Sequence, residues 1–152
     1  MDKDIESALD SIDKINPFAT YLSDSTLSRV GGWIDTGSYV LNAIISGSLH
    51  GGIPKGRVTM LAGESMTGKS LFVMKILAAA QKDGLIPVIF DTENAIDPEG
   101  AERLGLDVSK VKYVPCVSIE QTRNALFKFL NSIKEKGLEG KFIVAIDSLG
   151  NL

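Results

Sequence analysis

One eight-residue stretch carries the residue types and the spacing that bind a phosphate chain. It reads Gly63-Glu64-Ser65-Met66-Thr67-Gly68-Lys69-Ser70 and fits the pattern G-x-x-x-x-G-K-S over its whole length. Its glycines let the backbone curl so that several N–H groups point at one anion, and a helix starting near Gly68 adds the positive end of its dipole. Lys69 supplies a mobile cation for the terminal phosphates, and the Ser70 hydroxyl can bind Mg²⁺. The stretch therefore predicts a nucleotide phosphate site; a chance match in a glycine-rich turn is the alternative.

A magnesium ion at such a loop needs a second, acidic group at the end of a nearby apolar strand. Asp147 directly follows the wholly apolar run of residues 142–146, so it is the candidate for the metal. Its alternative role is an ordinary cap of the strand end. Ser148 could contact metal-bound water or the γ-phosphate region. A simple cap of the strand end is an equally supported role for Ser148.

Hydrolysis would also need a carboxylate that activates water. Some ATPases place a glutamate directly after the metal aspartate, but here Ser148 stands at that position. Glu93 lies just beyond the apolar run of residues 86–90, at the carboxyl edge where ligands bind in sheets of this kind. From there a glutamate can orient and polarise water, so Glu93 is the predicted catalytic base. A solvent-exposed loop carboxylate is the alternative.

Strands and helices that alternate along the chain must position these residues. The predicted strands cover residues 57–62, 86–90, 111–114 and 142–146. Helices are predicted at residues 68–82, from the Asp97-Pro98 cap to Gly105, and after a Ser118 capping box. An earlier helix, capped by Thr36 or Asp35, would bury one face made of Val40, Leu41, Ile44 and Ile45. Because the strands are continuously apolar, we expect an α/β fold with a mainly parallel sheet and helices on both faces.

Residues 1–30 are predicted to form a separate N-terminal helical arm, and residues 31–152 the nucleotide-binding body. A helix at residues 2–14 carries one narrow apolar stripe made of Ile5, Ala8, Leu9 and Ile12. The stripe must be covered, either by packing within the chain or by docking on a neighbouring subunit. The sequence supports both alternatives equally.

Composition excludes several classes of protein. The 152 residues fit one domain, and a net charge of −3 gives no global basic field that would attract nucleic acid. A single cysteine, Cys116, excludes an internal disulfide and a cysteine-cluster metal site. Because the start lacks a signal-peptide pattern and no apolar run could span a bilayer, we expect a soluble, cytoplasmic protein without membrane contact.

Several further motifs carry a resemblance to a known family. Residues 33–38 and 51–57, followed by the phosphate stretch, resemble the opening of the RecA/Rad51 recombinase core. Residues 90–98 are similar to the segment with that family's catalytic glutamate, and residues 146–148 to its Walker B strand. Residues 146–152 are especially similar to the UvsX recombinases of T-even-type phages. The resemblance covers roughly residues 33–152.

The resemblance implies a RecA-like P-loop ATPase that ends after the Walker B strand, with ATP and Mg²⁺ as its cofactors. Lys69 and Ser70 would hold phosphate and magnesium, Glu93 would activate water, and Asp147 would anchor the metal through water. Asp97 matches a position that approaches the adenine amino group in the family. The family's aromatic residue that stacks on adenine falls near Gly100, which has no side chain, so base recognition would rest elsewhere.

The implied protein is an ATP-dependent DNA recombinase that forms a homo-oligomeric filament on single-stranded DNA in homologous recombination and repair. The family's DNA-binding loops follow the Walker B strand, so DNA contact is implied by the family and not by these residues. The chain would then be the N-terminal part of a longer enzyme, in the host cytoplasm if it is viral. The alternatives are a RecA-fold helicase or regulatory ATPase without strand exchange, and a nucleotide-binding adaptor whose output is assembly.

Overall fold

A computed structural model describes residues 3–16, 18–25 and 29–148, and the chain divides into two compact units, Met1–Val30 and Gly31–Leu152. In the first unit, helix α1 (Lys3–Ile15) confirms the predicted amphipathic helix, and its Ile5, Leu9 and Ile12 are exposed. The helix ends as predicted before Asn16, whose side-chain oxygen accepts a hydrogen bond from the Phe18 N–H at 3.0 Å. Pro17, the other predicted stop, lies outside the described residues.

The second unit contains five strands, four α-helices and one 3-10 helix among its described residues. In chain order they are β1 (Trp33–Ile34), α2 (Tyr39–Ser46), β2 (Ile53–Pro54), α3 (Lys69–Lys82), β3 (Ile86–Asp91), α4 (Pro98–Arg103), the 3-10 helix Val108–Lys110, β4 (Lys112–Pro115), α5 (Ile119–Glu135) and β5 (Phe142–Asp147). Across the described part of the chain, no helix combines the length and apolar character needed to cross a membrane.

The main sheet has three strands in the order β4-β3-β5, and both pairings are parallel. In this register Asp91 lies opposite Asp147 on one side and Pro115 on the other. All three strands therefore end at one edge, as parallel strands joined by helical crossovers must. Strands β1 and β2 form a separate antiparallel pair.

Helices cover both faces of the main sheet, which confirms the predicted α/β fold. On one face Ile89 packs with Met74 and Leu77 of α3. On the other face Phe90 packs with Leu126 and Phe129 of α5. Since each large apolar side chain contributes about 1.5–3 kcal/mol when it is buried, these two layers hold α3 and α5 against the sheet.

The strand predicted at residues 57–62 does not form. These residues are assigned to no strand, and the Val58 side chain is fully exposed. The apolar pattern alone predicted a strand, but a strand is stabilised by its neighbours more than by its own propensity. Within the described residues no segment pairs with residues 57–62. These residues therefore have the apolar pattern of a strand but no neighbouring strand to hydrogen bond with.

Helix α2 differs from its prediction in both its cap and its buried face. Its N-cap is Ser38, whose side chain accepts a hydrogen bond from the Leu41 N–H. The predicted caps Asp35 and Thr36 instead hydrogen bond to Asn42, which is only 1% exposed. This polar contact turns the Asn42 side of the helix inward and leaves Val40 exposed.

Asn42 satisfies four hydrogen bonds in this buried cluster. Its side-chain oxygen accepts from the Thr36 N–H at 3.0 Å and the Thr36 hydroxyl at 2.7 Å. Its side-chain nitrogen donates to the Asp35 carboxylate at 2.7 Å and to the Leu49 carbonyl at 3.0 Å. Replacing Asn42 or Thr36 would leave a buried donor or acceptor without a hydrogen-bond partner. The free-energy cost of such an unpaired group is larger than the net stabilisation from one hydrogen bond.

We expect Asn42→Ala to lower the free energy of unfolding by at least about 2 kcal/mol, because the buried Thr36 amide and hydroxyl lose their partner. Chemical denaturation of the variant and the parent protein measures the difference. Asn131→Ala, at an exposed position of α5, is the matched control and should change stability by less than about 0.5 kcal/mol. Equal effects of the two substitutions would contradict the structural role of Asn42.

The same contact sets the ionisation of Asp35. The hydrogen bond from Asn42, followed by the one from the Gly37 N–H, lowers the pKa of the Asp35 carboxyl below its ordinary value of 3.8. The stability that this carboxylate contributes is therefore present above pH 3.8 and is lost as the pH falls through the lower, folded pKa.

In Asn42→Ala we expect the pKa of Asp35 to rise toward 3.8, which NMR titration of the side-chain carboxyl carbon measures. Asp107 is the internal control, because its pKa is lowered by hydrogen bonds from Lys110 and Ser109 that the substitution does not touch. If the Asp35 titration did not move, its low pKa would have another cause.

Candidate functional site

The loop of residues 63–68 leads directly into α3 and is shaped by its glycines. Gly68 is the N-cap of α3, at a left-handed φ of 86°. A Cβ atom on Gly63 would lie 3.2 Å from the Thr67 hydroxyl oxygen, which is a close contact. The predicted helix start at this point is confirmed, and Gly68 adopts a conformation that other residues take only with strain.

The loop curls around the ammonium group of Lys69. The Lys69 Nζ donates to the Gly63 carbonyl at 3.0 Å and to the Glu64 carbonyl at 2.7 Å. The Thr67 hydroxyl also donates to the Glu64 carbonyl, at 2.8 Å. These bonds hold a positive charge inside the turn, next to the positive end of α3. The four residues between the glycines, Glu64, Ser65, Met66 and Thr67, are exposed.

Ser70, Asp97 and Asp147 line one cleft of about 350 Å³. They come from three elements: the first turn of α3, the N-cap of α4 and the last position of β5. Gly100 and Arg103 line the cleft as well, with an apolar remainder made of Leu71, Met74, Ala95, Ile96, Ala101 and Leu104. The fold therefore brings together three predicted site residues that are far apart in sequence. The Ser70 hydroxyl and the Asp147 carboxylate are oxygen donors of the kind that Mg²⁺ prefers.

Glu93 lies at the same edge of the sheet, just after β3, and is not among the described residues that line the cleft. The Ser148 hydroxyl donates to Glu93 Oε1 at 2.6 Å. Thr92 connects the two strand ends, since its N–H donates to the Asp147 carbonyl at 2.8 Å and its hydroxyl exchanges hydrogen bonds with the Ser148 backbone. The sequence suggested that Ser148 contacts metal-bound water or the γ-phosphate region, or that it caps the strand. The structure shows a different contact, the hydrogen bond to Glu93.

Asp97 caps helix α4, as the Asp97-Pro98 pair predicted. Its two carboxylate oxygens accept from the Glu99 N–H at 3.1 Å and the Gly100 N–H at 2.9 Å. Arg103 Nη2 also approaches Asp97 Oδ2, at 3.4 Å. A Cβ atom on Gly100 would lie 2.7 Å from that same oxygen, so the absence of a side chain there makes room for the cap. A contact between Asp97 and adenine stays a prediction.

Two residues at this edge were missed by sequence reasoning. Asp91 is 1% exposed, and its carboxylate accepts hydrogen bonds from the N–H groups of Glu93 and Asn94 and from the Tyr113 hydroxyl. Asp91 ends an apolar strand, as Asp147 does, so the signal that identified Asp147 could have identified it too. Tyr113 carries no such signal, because its contact depends on the pairing of β3 with β4.

The Asp91 contact also affects the ionisation of Tyr113. Tyr113 is 43% exposed, but partial desolvation of its phenol, and after it the hydrogen bond to the Asp91 carboxylate, raises the pKa of the phenol above its ordinary value. The phenol therefore stays protonated at neutral pH and acts as the donor to Asp91.

Comparison with known proteins places the chain in one family. A family model described as the RecA N-terminal domain matches residues 3–149. Protein RecA of Helicobacter pylori is 32% identical over 152 residues, which cover 99% of this chain and 41% of that relative. Protein RecA of Nautilia profundicola is 36% identical over 111 residues, or 72% of this chain and 31% of that relative.

A third similar protein, Protein RecA of Aquifex aeolicus, is 44% identical over 78 residues, which are 51% of this chain and 22% of that relative. The chain thus spans less than half the length of each of these curated relatives. The family model, however, covers nearly the whole chain. The glycine-bounded loop and the parallel sheet edge agree with this match, and the chain therefore belongs to the RecA N-terminal domain family.

Proposed function

We propose that this chain is the nucleotide-binding part of an ATP-dependent DNA recombinase that hydrolyses ATP. The single observation that carries the proposal is the cleft in which Ser70, Asp97 and Asp147 meet beside the Lys69 loop. In a member of the RecA N-terminal domain family, this arrangement is suited to a nucleoside triphosphate whose phosphates lie at the start of α3.

Four side chains would divide the work of binding. Lys69 exchanges its loop carbonyl partners for the terminal phosphates, whose charge it balances. Ser70 and Asp147, which both line the cleft, would hold Mg²⁺, and Asp147 would do so through water. When bound, the ion neutralises charge that develops on the phosphates. Asp97 also lines the cleft, where it would serve base recognition while it caps α4.

Glu93 is the residue that orients and polarises the attacking water. Its hydrogen bond from Ser148 anchors one carboxylate oxygen at the edge where Asp147 also lies. Glu93 is exposed, but this hydrogen bond restricts its carboxylate. A restricted carboxylate loses less freedom when water binds, and this is how a positioned base contributes to rate.

The assembled enzyme would be a homo-oligomeric filament on single-stranded DNA. Helix α1 supports this proposal, since its exposed Ile5, Leu9 and Ile12 need a cover that a neighbouring subunit could provide. Binding of DNA is inferred from the family alone. We also propose that the protein works in the cytoplasm, and in the host cytoplasm if it is viral.

We place the protein near the UvsX recombinases of T-even-type phages, on the likeness of residues 146–152. Residues 149–152 lie outside the described residues, so this assignment rests on their sequence. A RecA-fold helicase or regulatory ATPase, or a nucleotide-binding adaptor, would share the cleft, but the match to the RecA N-terminal domain favours none of them.

We expect Lys69→Ala to weaken Mg²⁺-dependent ATP binding by at least about tenfold, which corresponds to about 1.4 kcal/mol, because the loop loses its only side-chain cation. Isothermal titration calorimetry with a slowly hydrolysed ATP analogue measures the affinity. Lys128→Ala, at an exposed position of α5, removes the same charge elsewhere and should leave the affinity unchanged. Unchanged affinity in Lys69→Ala would refute the phosphate site.

We expect Glu93→Gln to lower the kcat of the single-stranded-DNA-stimulated ATPase at least about 100-fold, because an amide cannot accept the proton of water. The KM for ATP should change by less than about threefold, since binding does not depend on this group. Steady-state phosphate release by the natural full-length protein measures both values.

Glu139→Gln, in an exposed turn, is the control for the same loss of charge. Turnover that survives in Glu93→Gln would remove Glu93 from the mechanism. An adaptor without catalytic function would bind ATP in the parent protein and show no DNA-stimulated turnover.

A further inference from the structure

A hydrogen-bonded group of three residues supports the turn that carries Glu93. Asp91 ends β3, Tyr113 lies on the neighbouring β4, and Asn94 lies in the turn itself. The Tyr113 hydroxyl is 3.0 Å from Asp91 Oδ2 and 3.4 Å from Asn94 Oδ1. We call Asp91, Asn94 and Tyr113 the phenol brace.

The two oxygens of Asp91 serve two different purposes. Oδ1 accepts from the backbone N–H groups of Glu93 and Asn94, both at 2.9 Å, and so determines the path of the turn. Oδ2 accepts from the Tyr113 hydroxyl. The phenol is therefore the contact that orients the carboxylate, and the carboxylate in turn holds the backbone of Glu93.

The burial of Asp91 makes this orientation depend on its partners. A carboxylate that is almost fully buried is stable only if its oxygens are hydrogen-bonded. Without the phenol, Oδ2 would need another donor, such as water, and the carboxylate could rotate about its side-chain bonds to find one. Such a rotation would move Oδ1 away from the turn and release the amides of residues 93 and 94.

The turn is held from the opposite side as well. The Ser148 hydroxyl binds the Glu93 carboxylate, and Thr92 joins the ends of β3 and β5. Asn94 adopts a left-handed φ of 51°, which an isolated turn would keep only part of the time. Glu93 is thus held through its side chain by Ser148, which directly follows β5, and through its backbone by Asp91, which Tyr113 of β4 contacts.

We propose that Tyr113 is a positioning residue for Glu93, which it locates through the Asp91 carboxylate and the backbone of the turn. In this role Tyr113 would act on Glu93 through Asp91, the residue that its hydroxyl contacts, and would not itself bind the nucleotide. The inference rests on the proposed role of Glu93 in activating water. The proposal gives a positioning role to a residue that belongs neither to the loop of residues 63–68 nor to the strand ends at Asp91 and Asp147.

The test replaces the phenol with a ring of the same shape. In the natural full-length protein, assembled on single-stranded DNA with Mg²⁺ and ATP, Tyr113→Phe should lower kcat by about three- to tenfold, because catalytic geometry is lost while binding is retained. The KM for ATP should stay within about twofold. Tyr39→Phe is the matched control, since the Tyr39 hydroxyl takes part in none of the hydrogen bonds among the described residues, and it should leave both values unchanged.

A double-mutant cycle separates positioning from a general structural effect. In the Glu93→Gln background, Tyr113→Phe should lower kcat no further, since the group that it positions is already inactive. An equal loss in both backgrounds, or an unchanged kcat in Tyr113→Phe alone, would overturn the proposal. If Glu93→Gln itself left turnover intact, the proposed function of Glu93 would fail instead, and the exchange experiment below would decide on the brace.

Hydrogen–deuterium exchange of the backbone amides provides that readout without any turnover. In Tyr113→Phe the amides of Glu93 and Asn94 should exchange several-fold faster, whereas amides within α3 should keep the parent rate. Unchanged exchange at residues 93 and 94 would show that the phenol does not hold the turn. A uniform increase over the whole chain would show a loss of global stability and would also overturn the positioning role.

Discussion

The parallel pairing of β3 with β5 is the constraint on which the rest of the site depends. It sets Asp91 opposite Asp147, and the hydrogen bonds between Thr92 and Ser148 extend the alignment just past the strand ends. A shift of one residue would turn the side chains of one strand to the opposite face of the sheet. The metal-binding carboxylate and the water-activating carboxylate that we propose are therefore located relative to each other by the strand register and by the hydrogen bonds of Thr92.

Apolar packing on the two faces of the sheet then positions everything else. Helix α3 carries the glycine-bounded loop at its start, and Met74 and Leu77 in its middle pack on Ile89 of β3. The loop is therefore attached to a rigid body, although its own residues are largely exposed. This division is common at binding sites, where a packed scaffold presents an accessible loop. The same scaffold holds Ser70 and Asp147 in one cleft, which a flexible loop alone could not do.

Local patterns predicted those parts of the chain whose structure depends on neighbouring residues. The Asp97 cap of α4, the Gly68 start of α3 and the apolar strand that ends at Asp147 all obey short-range rules. Prediction failed where burial was decided by distant contacts. Residues 57–62 have strand character without a ladder partner among the described residues, and α2 turns a buried Asn42 inward in place of Val40. Apolar periodicity could not reveal this, because four hydrogen bonds make the asparagine acceptable in the interior.

By itself the sequence determined the glycine-bounded motif that we propose binds phosphate, the three strands of the main sheet with the helices between them, and the candidate acids Glu93 and Asp147. Only the tertiary structure decided how those acids are held. The Ser148 hydroxyl contacts Glu93 across 55 positions of the chain, and the Tyr113 phenol contacts Asp91 across 22. No local rule links residues so far apart, since their contact arises from strand register and from burial of the Asp91 carboxylate. The motif thus carries side chains for the chemistry that we propose, while the sheet edge determines the geometry in which those side chains are held.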